Sequence, residues 1–310
     1  MKISNIVEKW SVRLARVAEW LKHKTLPGFG KMSVFDVGRF FVRGLSNGTM
    51  GIRSSAIAFN FFLAMFPALI FLFTLIPYIP IPDFQTELIG LLEQLIPSQT
   101  FSIVRDTIND IAQNPRGGLL SVGCITTIVL VSNGVTAVIK AFNSSINTYE
   151  NRTFINLRVS SLVMMALITV LLSSAIALLI FGRSLLGFLI SKHIIYGFVS
   201  KMMFYIVQWA IILALCLVSV SVIYYFAPAK HTKMGFISAG SVLATTLLLL
   251  TSAGFGYYLS NFGSYNALYG SIGTLIAILV WLNLNAYILL LGFELNLSIR
   301  VAQKTKFEGK

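Results

Sequence analysis

Few residues in this chain could do chemistry, and most of those sit in poor company for catalysis. His23, His193 and His231 lie far apart and show no metal-ligand spacing. Cys124 and Cys216 are set in apolar runs and read as small packing residues. There is no nucleotide-binding loop, so no cofactor is implied. RNA cleavage needs clustered metal ligands or paired acid–base groups. The sequence offers neither, so the expectation is a protein without catalysis or a nucleic-acid partner. What remains is a set of polar residues embedded in long apolar stretches: Asn60, Asn133, Gln208, Asn283, Asn285 and Glu294. In lipid such groups must meet protein or water. They can tie helices together, at about 0.6–2 kcal/mol each, or line a polar cavity for a solute or headgroup. The candidate cavity or gating residues are Asn60, Pro67, Asn133, Asn283, Tyr287 and Glu294. Pro67 cannot donate a backbone bond to Leu63, so its helix should kink or open there. Glu294 sits at a helix end. It is either one half of a salt bridge to nearby basic turns or a proton- or cation-coupling site.

The elements that must hold these residues follow from charge and hydropathy. The chain has 310 residues, 56% hydrophobic and 11% charged. Soluble domains carry about 25% charged residues, so this is a polytopic membrane protein. From Gly235 to Glu294 there is no Lys, Arg, His or Asp. A single crossing takes about 20 apolar residues, so this stretch must cross twice. Its turn is expected at Asn261–Gly270, where Asn, Gly and Ser gather. The fold class expected is all-α, with six transmembrane helices near 55–78, 118–139, 159–182, 203–226, 235–259 and 271–293. They form a transmembrane domain over 54–298. Its outer loop, 83–116, carries two short amphipathic helices. The loop 183–201 is expected to lie on the surface. At about 100° per residue, Asn283, Tyr287, Glu294 and Ser298 share one face of the last helix. Asn285, Gly292 and Asn296 share the opposite face. A helix polar on two sides belongs near the centre of the bundle.

Residues 1–53 read as basic amphipathic helices on the membrane interface. The first carries Ile6, Trp10, Leu14, Val17 and Leu21 at helical spacing, with Lys9, Arg13, Arg16 and Lys22 between them, and suits anionic headgroups. The second opens at Ser33 with Asp36 three residues on, as in a capping box. Residues 299–310 form a polar tail. Six crossings put both termini on one side. That side holds nineteen Lys and Arg against five on the other, so both termini are expected in the cytoplasm.

The assembled motifs are Ala58-Phe59-Asn60-Phe61-Phe62-Leu63-Ala64-Met65-Phe66-Pro67, Phe142-Asn143, Arg152-Thr153-Phe154 and Tyr225-Phe226-Ala227-Pro228. The most specific runs from Tyr265-Asn266-Ala267-Leu268-Tyr269-Gly270-Ser271-Ile272-Gly273 to Leu291-Gly292-Phe293-Glu294-Leu295-Asn296. Together they resemble the YihY/virulence factor BrkB family of bacterial inner-membrane proteins. Family members often have Ser in place of Ala64 and Tyr in place of Phe59 or Asn60. The resemblance implies six transmembrane helices. It marks Asn143, Arg152, Tyr265, Asn266, Tyr269 and Gly270 as motif positions. Members have been proposed as transporters or exporters, and the family long carried a ribonuclease label. The expected function is transport or lipid handling of an unidentified solute or lipid. The alternative is a membrane scaffold that organises lipids or envelope proteins.

Overall fold

Lipid supplies no hydrogen bonds, so an apolar chain that enters it must satisfy its own backbone, and the helix does this segment by segment. The computed structural model is built this way. It describes residues 19–20, 22, 24–25, 28–30, 32–46, 48–78, 116–145, 152–192, 197–229, 235–260 and 263–308. Among the described residues there are seven α-helices, one 3-10 turn and no strand. The helices are α1 (Val34–Ser46), α2 (Met50–Leu75), α3 (Gly117–Ser145), α4 (Phe154–Ser191), α5 (Gly197–Phe226), α6 (Ala239–Ser260) and α7 (Gly263–Glu308). Six of them, α2 to α7, are long and apolar enough to cross a membrane. The first amphipathic stripe, Ile6–Leu21, and the helices expected over 83–116 fall outside the described residues.

The six spans form a closed ring. Each packs on the next in chain order, from α2 to α7, and α7 packs back on α2. The last helix also touches α1 and α3, the central position its two polar faces call for. Outward-facing positions such as Ile125, Val163, Val170, Ile206 and Leu250 are exposed apolar side chains, suited to lipid. The main core gathers at the end of the ring where α2 begins and the last turns of α7 project. There Ile139, Phe142, Tyr224, Leu290 and Phe293 are buried together. A second small core joins α1 to the projecting end of α7, through Phe29, Met32, Val37, Ile299 and Ala302.

Local chemistry explains the boundaries. Ser33 caps helix α1, with one half of the expected capping box formed: Asp36 N–H donates to Ser33 Oγ (3.1 Å), while the Asp36 carboxylate accepts from the Ser33 hydroxyl (2.6 Å). Val37 of α1 is buried against α7. Thr153 caps α4 by accepting from Asn156 N–H (3.3 Å). Pro67 lies inside α2, and the helix runs through it.

Several boundaries differ from expectation, and the expected polar tail over 299–310 is helical as far as Glu308, as the end of α7. The first crossing begins at Met50 and ends at Leu75, with Ile76–Tyr78 tightening into a 3-10 turn. Helix α4 does not stop at Gly182 but continues to Ser191, through most of the expected surface loop. Between Arg183 and Ser191 there is no proline, and a glycine costs a helix only about 1 kcal/mol. With 38 residues, α4 is about 57 Å long at 1.5 Å per residue, well beyond the ~30 Å hydrocarbon core. Lastly, α7 already starts at Gly263, so residues 263–270 of the expected turn Asn261–Gly270 are helical. Propensity is a weak prior, and a self-satisfied helix is favoured over a polar turn at the lipid boundary.

Two glycines let α6 and α7 touch backbone to backbone. A Cβ at Gly292 would meet Gly240 O at 2.6 Å and Ala244 Cβ at 2.8 Å. Overpacking of this kind typically costs about 1–3 kcal/mol. Gly292→Ala should therefore lower the thermal unfolding midpoint of the purified protein, whereas Gly254→Ala, where a Cβ meets no atom within 4 Å, should leave it unchanged or raise it slightly, by up to the helix-propensity gain of about 1 kcal/mol.

Candidate functional site

Helix α7 makes polar contacts on both of its faces, and these define the site. Towards α2, Asn283 Nδ2 donates to Ser55 Oγ (2.9 Å), and Asn283 Oδ1 accepts from Ser54 Oγ (3.1 Å). Towards α6, Asn296 Nδ2 donates to Ser238 Oγ (2.8 Å), and its Oδ1 accepts from Gly240 N–H (2.8 Å). Asn285 bonds back to Trp281 O within its own helix (2.7 Å). Tyr287 is half-buried against the main core.

Glu294 is buried where three other elements converge. Its carboxyl bonds Ser145 at the end of α3 and lies in the field of the Arg53 guanidinium from α2. Arg53 in turn donates through Nη1 to Ser145 Oγ and to Ala141 O (3.0 Å), and through Nη2 to Thr49 Oγ1 (2.9 Å). Gly44 of α1 lies over the carboxylate: a Cβ there would collide with Oε1 and come within 2.8 Å of Cδ. The sequence pointed Glu294 at the basic turns; the structure gives it Arg53, inside the first span. Charge balance on a helical end explains the choice, because an Arg one turn into α2 can extend towards its N-terminus and reach a buried acid.

Beside this node the ring is closed by aromatic rings. Phe142 and Phe293 stack with centroids 4.1 Å apart and planes 3° from parallel. Tyr224 meets both edge-on, at 5.6 and 5.8 Å, and its hydroxyl donates to Leu289 O (2.7 Å). These three residues come from α3, α5 and α7, which alternate around the ring. They therefore meet across its axis.

The motif residues serve the same end of the molecule. Asn143 Oδ1 accepts from Ala229 N–H (2.9 Å), and Arg152 Nη2 donates to Ala227 O (3.0 Å). Both thus hold the Tyr225–Pro228 turn, whose Ala227 and Pro228 are buried. Tyr265, Asn266, Tyr269 and Gly270 belong to the first turns of α7; their side chains fall outside the described residues.

The other candidates lie apart. Asn60 donates to Ala56 O of its own helix (2.8 Å). Asn133 Oδ1 accepts from Arg158 Nη1 (2.8 Å). Gln208 donates to Leu178 O (2.9 Å). Between α6 and α7, nearer the opposite end, an apolar groove of about 390 Å³ is lined by Thr251, Gly254, Phe255, Tyr258, Gly273 and Ile276, among others. Sequence reasoning missed Arg53, Ser145, Arg158 and Gly44. The one available signal was that Arg53 and Arg158 directly adjoin apolar runs.

A family described as Virulence factor BrkB matches residues 41–310. The chain is 31% identical over 257 residues to the ribonuclease-like protein YfkH of Bacillus subtilis (strain 168), covering 83% of this chain and 92% of that protein. It is 24% identical over 282 residues to a UPF0761 membrane protein of Coxiella burnetii (strain Dugway 5J108-111), covering 86% and 94%. A UPF0761 membrane protein of Aeromonas salmonicida (strain A449) is 35% identical over 72 residues, 23% of this chain and 25% of that protein. No solved structure matches.

Arg53 and Glu294 sense each other's field and share Ser145, and leaving a buried polar group without its partner costs about 1–3 kcal/mol. Arg53→Gln and Glu294→Gln should each be destabilising by about that much in denaturant unfolding of the purified protein. The double variant should lose at least 1 kcal/mol less than the two losses added together, roughly the coupling expected of contacting groups. Simple additivity would mean the two groups do not sense each other.

Proposed function

The chain belongs to the virulence factor BrkB family of multi-pass membrane proteins, and we propose that it moves a solute or lipid through or along its helix ring without catalytic chemistry of its own. The carrying observation is the aromatic closure. Phe142, Tyr224 and Phe293 join alternate helices across the ring axis at one end. A scaffold needs no such cross-ring plug. A gate does, and the Arg53–Ser145–Glu294 node beside it gives that gate a charged latch.

A second feature supports transport over a dry bundle. Ser221 Oγ, Thr245 Oγ1 and Trp281 Nε1 are buried without a hydrogen-bond partner. They lie on α5, α6 and α7, on the side of the plug away from the termini. A buried polar atom left unpaired costs about 1–3 kcal/mol, so a ring interior that admits water or a polar ligand suits them. The apolar groove between α6 and α7 suits an acyl chain, which keeps lipid within the substrate class. The Lys and Arg distribution orients the plugged end towards the cytoplasm of a bacterial inner membrane. There the basic N-terminal segment meets anionic headgroups.

Each aromatic pair is worth about 0.5–1.5 kcal/mol beyond burial. Phe142→Ala removes two pairs, about 1–3 kcal/mol, and so should raise the open population roughly 5- to 150-fold. The check is proteoliposome swelling with a panel of salts, amino acids and sugars, together with a dithionite assay of labelled phospholipid flipping. At least one of these rates should rise above both wild type and empty vesicles. If every rate stays at the empty-vesicle level in wild type and variant alike, the scaffold reading takes its place.

A further inference from the structure

Arg158 presents a charge in an unusual place. Helices α3 and α4 run antiparallel, and Thr136 meets Ser161 (2.9 Å). By that register position 158 is level with Ile139. Yet the Arg158 guanidinium donates to Asn133 Oδ1 (2.8 Å) and Ser132 Oγ (3.1 Å). Those residues are six and seven positions further into the bundle, about 9–10 Å at 1.5 Å per residue. They are one and two residues from the midpoint of the 29-residue α3. A long cationic side chain near a helix end normally reaches out to the interface. This one reaches in.

Its counter-charge is not built into the spans. The acid within the six of them is Glu294, and Glu294 is engaged by Ser145 and Arg53. Ser145 lies twelve residues from Asn133 along α3, about 18 Å. Arg158 therefore rests on two neutral oxygens, one from fully buried Ser132. A guanidinium fork, a serine hydroxyl and the Nδ2 of an Asn whose Oδ1 is already used make a donor-rich corner. That corner matches the several acceptor oxygens of a carboxylate or phosphate.

We propose that Arg158, with Asn133 and Ser132, recognises an oxyanion group, carboxylate or phosphate, on the molecule this protein handles. The assignment rests on the transport reading above and names its substrate class. The anion supplies the charge that the helices lack, and it would sit near mid-depth, on the far side of the aromatic plug.

The test is thermal stabilisation of purified protein in neutral detergent by inorganic phosphate and by succinate, against chloride at matched ionic strength. A second arm titrates phosphatidylglycerol into the same detergent against phosphate-free diacylglycerol, which separates a soluble oxyanion from a lipid phosphate. Wild type should show a saturable response in at least one arm. R158Q should weaken it at least tenfold, and R158K, which keeps the charge without the fork, should fall between. Should R158Q not fold, phenylglyoxal labelling of Arg158 in wild type, read by peptide mass spectrometry, should slow with the same probe. Absence of a saturable response in both arms, or an undiminished response in R158Q, overturns the proposal. If binding fails while Phe142→Ala still opens a pathway, the oxyanion assignment falls and the transport reading stands. If oxyanion binding holds while Phe142→Ala opens no pathway, the transport reading falls and Arg158 is left as a plain anion site.

Discussion

A polar group carried into lipid has to be met by protein, water or a ligand, and α7 feels this constraint most. It carries amides and an acid on opposed faces, so neither face can be turned to lipid. Asn283 is met by Ser54 and Ser55, Asn296 by Ser238 and Gly240, and Glu294 by Ser145 and Arg53. The partners come from α2, α3 and α6. The closure of the ring from α7 back to α2 is thus a consequence of hydrogen-bond bookkeeping inside a solvent that offers none.

From that seating follow the two features on which the proposed function rests. Backbone-to-backbone packing at Gly240 and Gly292 fixes the register of α6 and α7. With the register fixed, Phe293 reaches Phe142 and Tyr224 across the axis. The same register places Glu294 under Gly44, so the amphipathic α1 covers the carboxylate. Arg158 stands apart from this assembly. It occupies the α3–α4 seam at mid-depth, while the aromatic closure lies nearer one end. Along α3, Asn133 and Phe142 are nine residues apart, about two and a half turns of helix, which is the separation the proposed oxyanion point and closure would have.

Much of the architecture was legible because hydropathy and periodicity act locally. The two polar faces of α7 follow from spacing alone, and so does the Ser33 cap of α1. The motif positions Asn143 and Arg152 were visible, but not their shared target, because the turn at Ala227–Ala229 is far away in sequence. Arg53 and Arg158 were read as charges on loops. Hydropathy gives a residue's depth to within a turn or two and says nothing of the direction of a long flexible side chain. The overrun of α4 past Gly182 and the early start of α7 at Gly263 share one cause. Glycine and asparagine mark turns in water, where the backbone has another partner; at a lipid boundary that alternative is weaker.

The central claim is that contact between Phe142 and Phe293 closes a pathway. It is tested most directly by a protein in which Cys124 and Cys216 are replaced by Ala and cysteines are introduced through Phe142→Cys and Phe293→Cys, bridged by a short bifunctional thiol-cleavable reagent in proteoliposomes. The account predicts efficient bridging in the resting state, loss of the flux carried by the unbridged protein, and recovery of that flux when a reductant cleaves the bridge. Flux that continues undiminished through the fully bridged protein would contradict it.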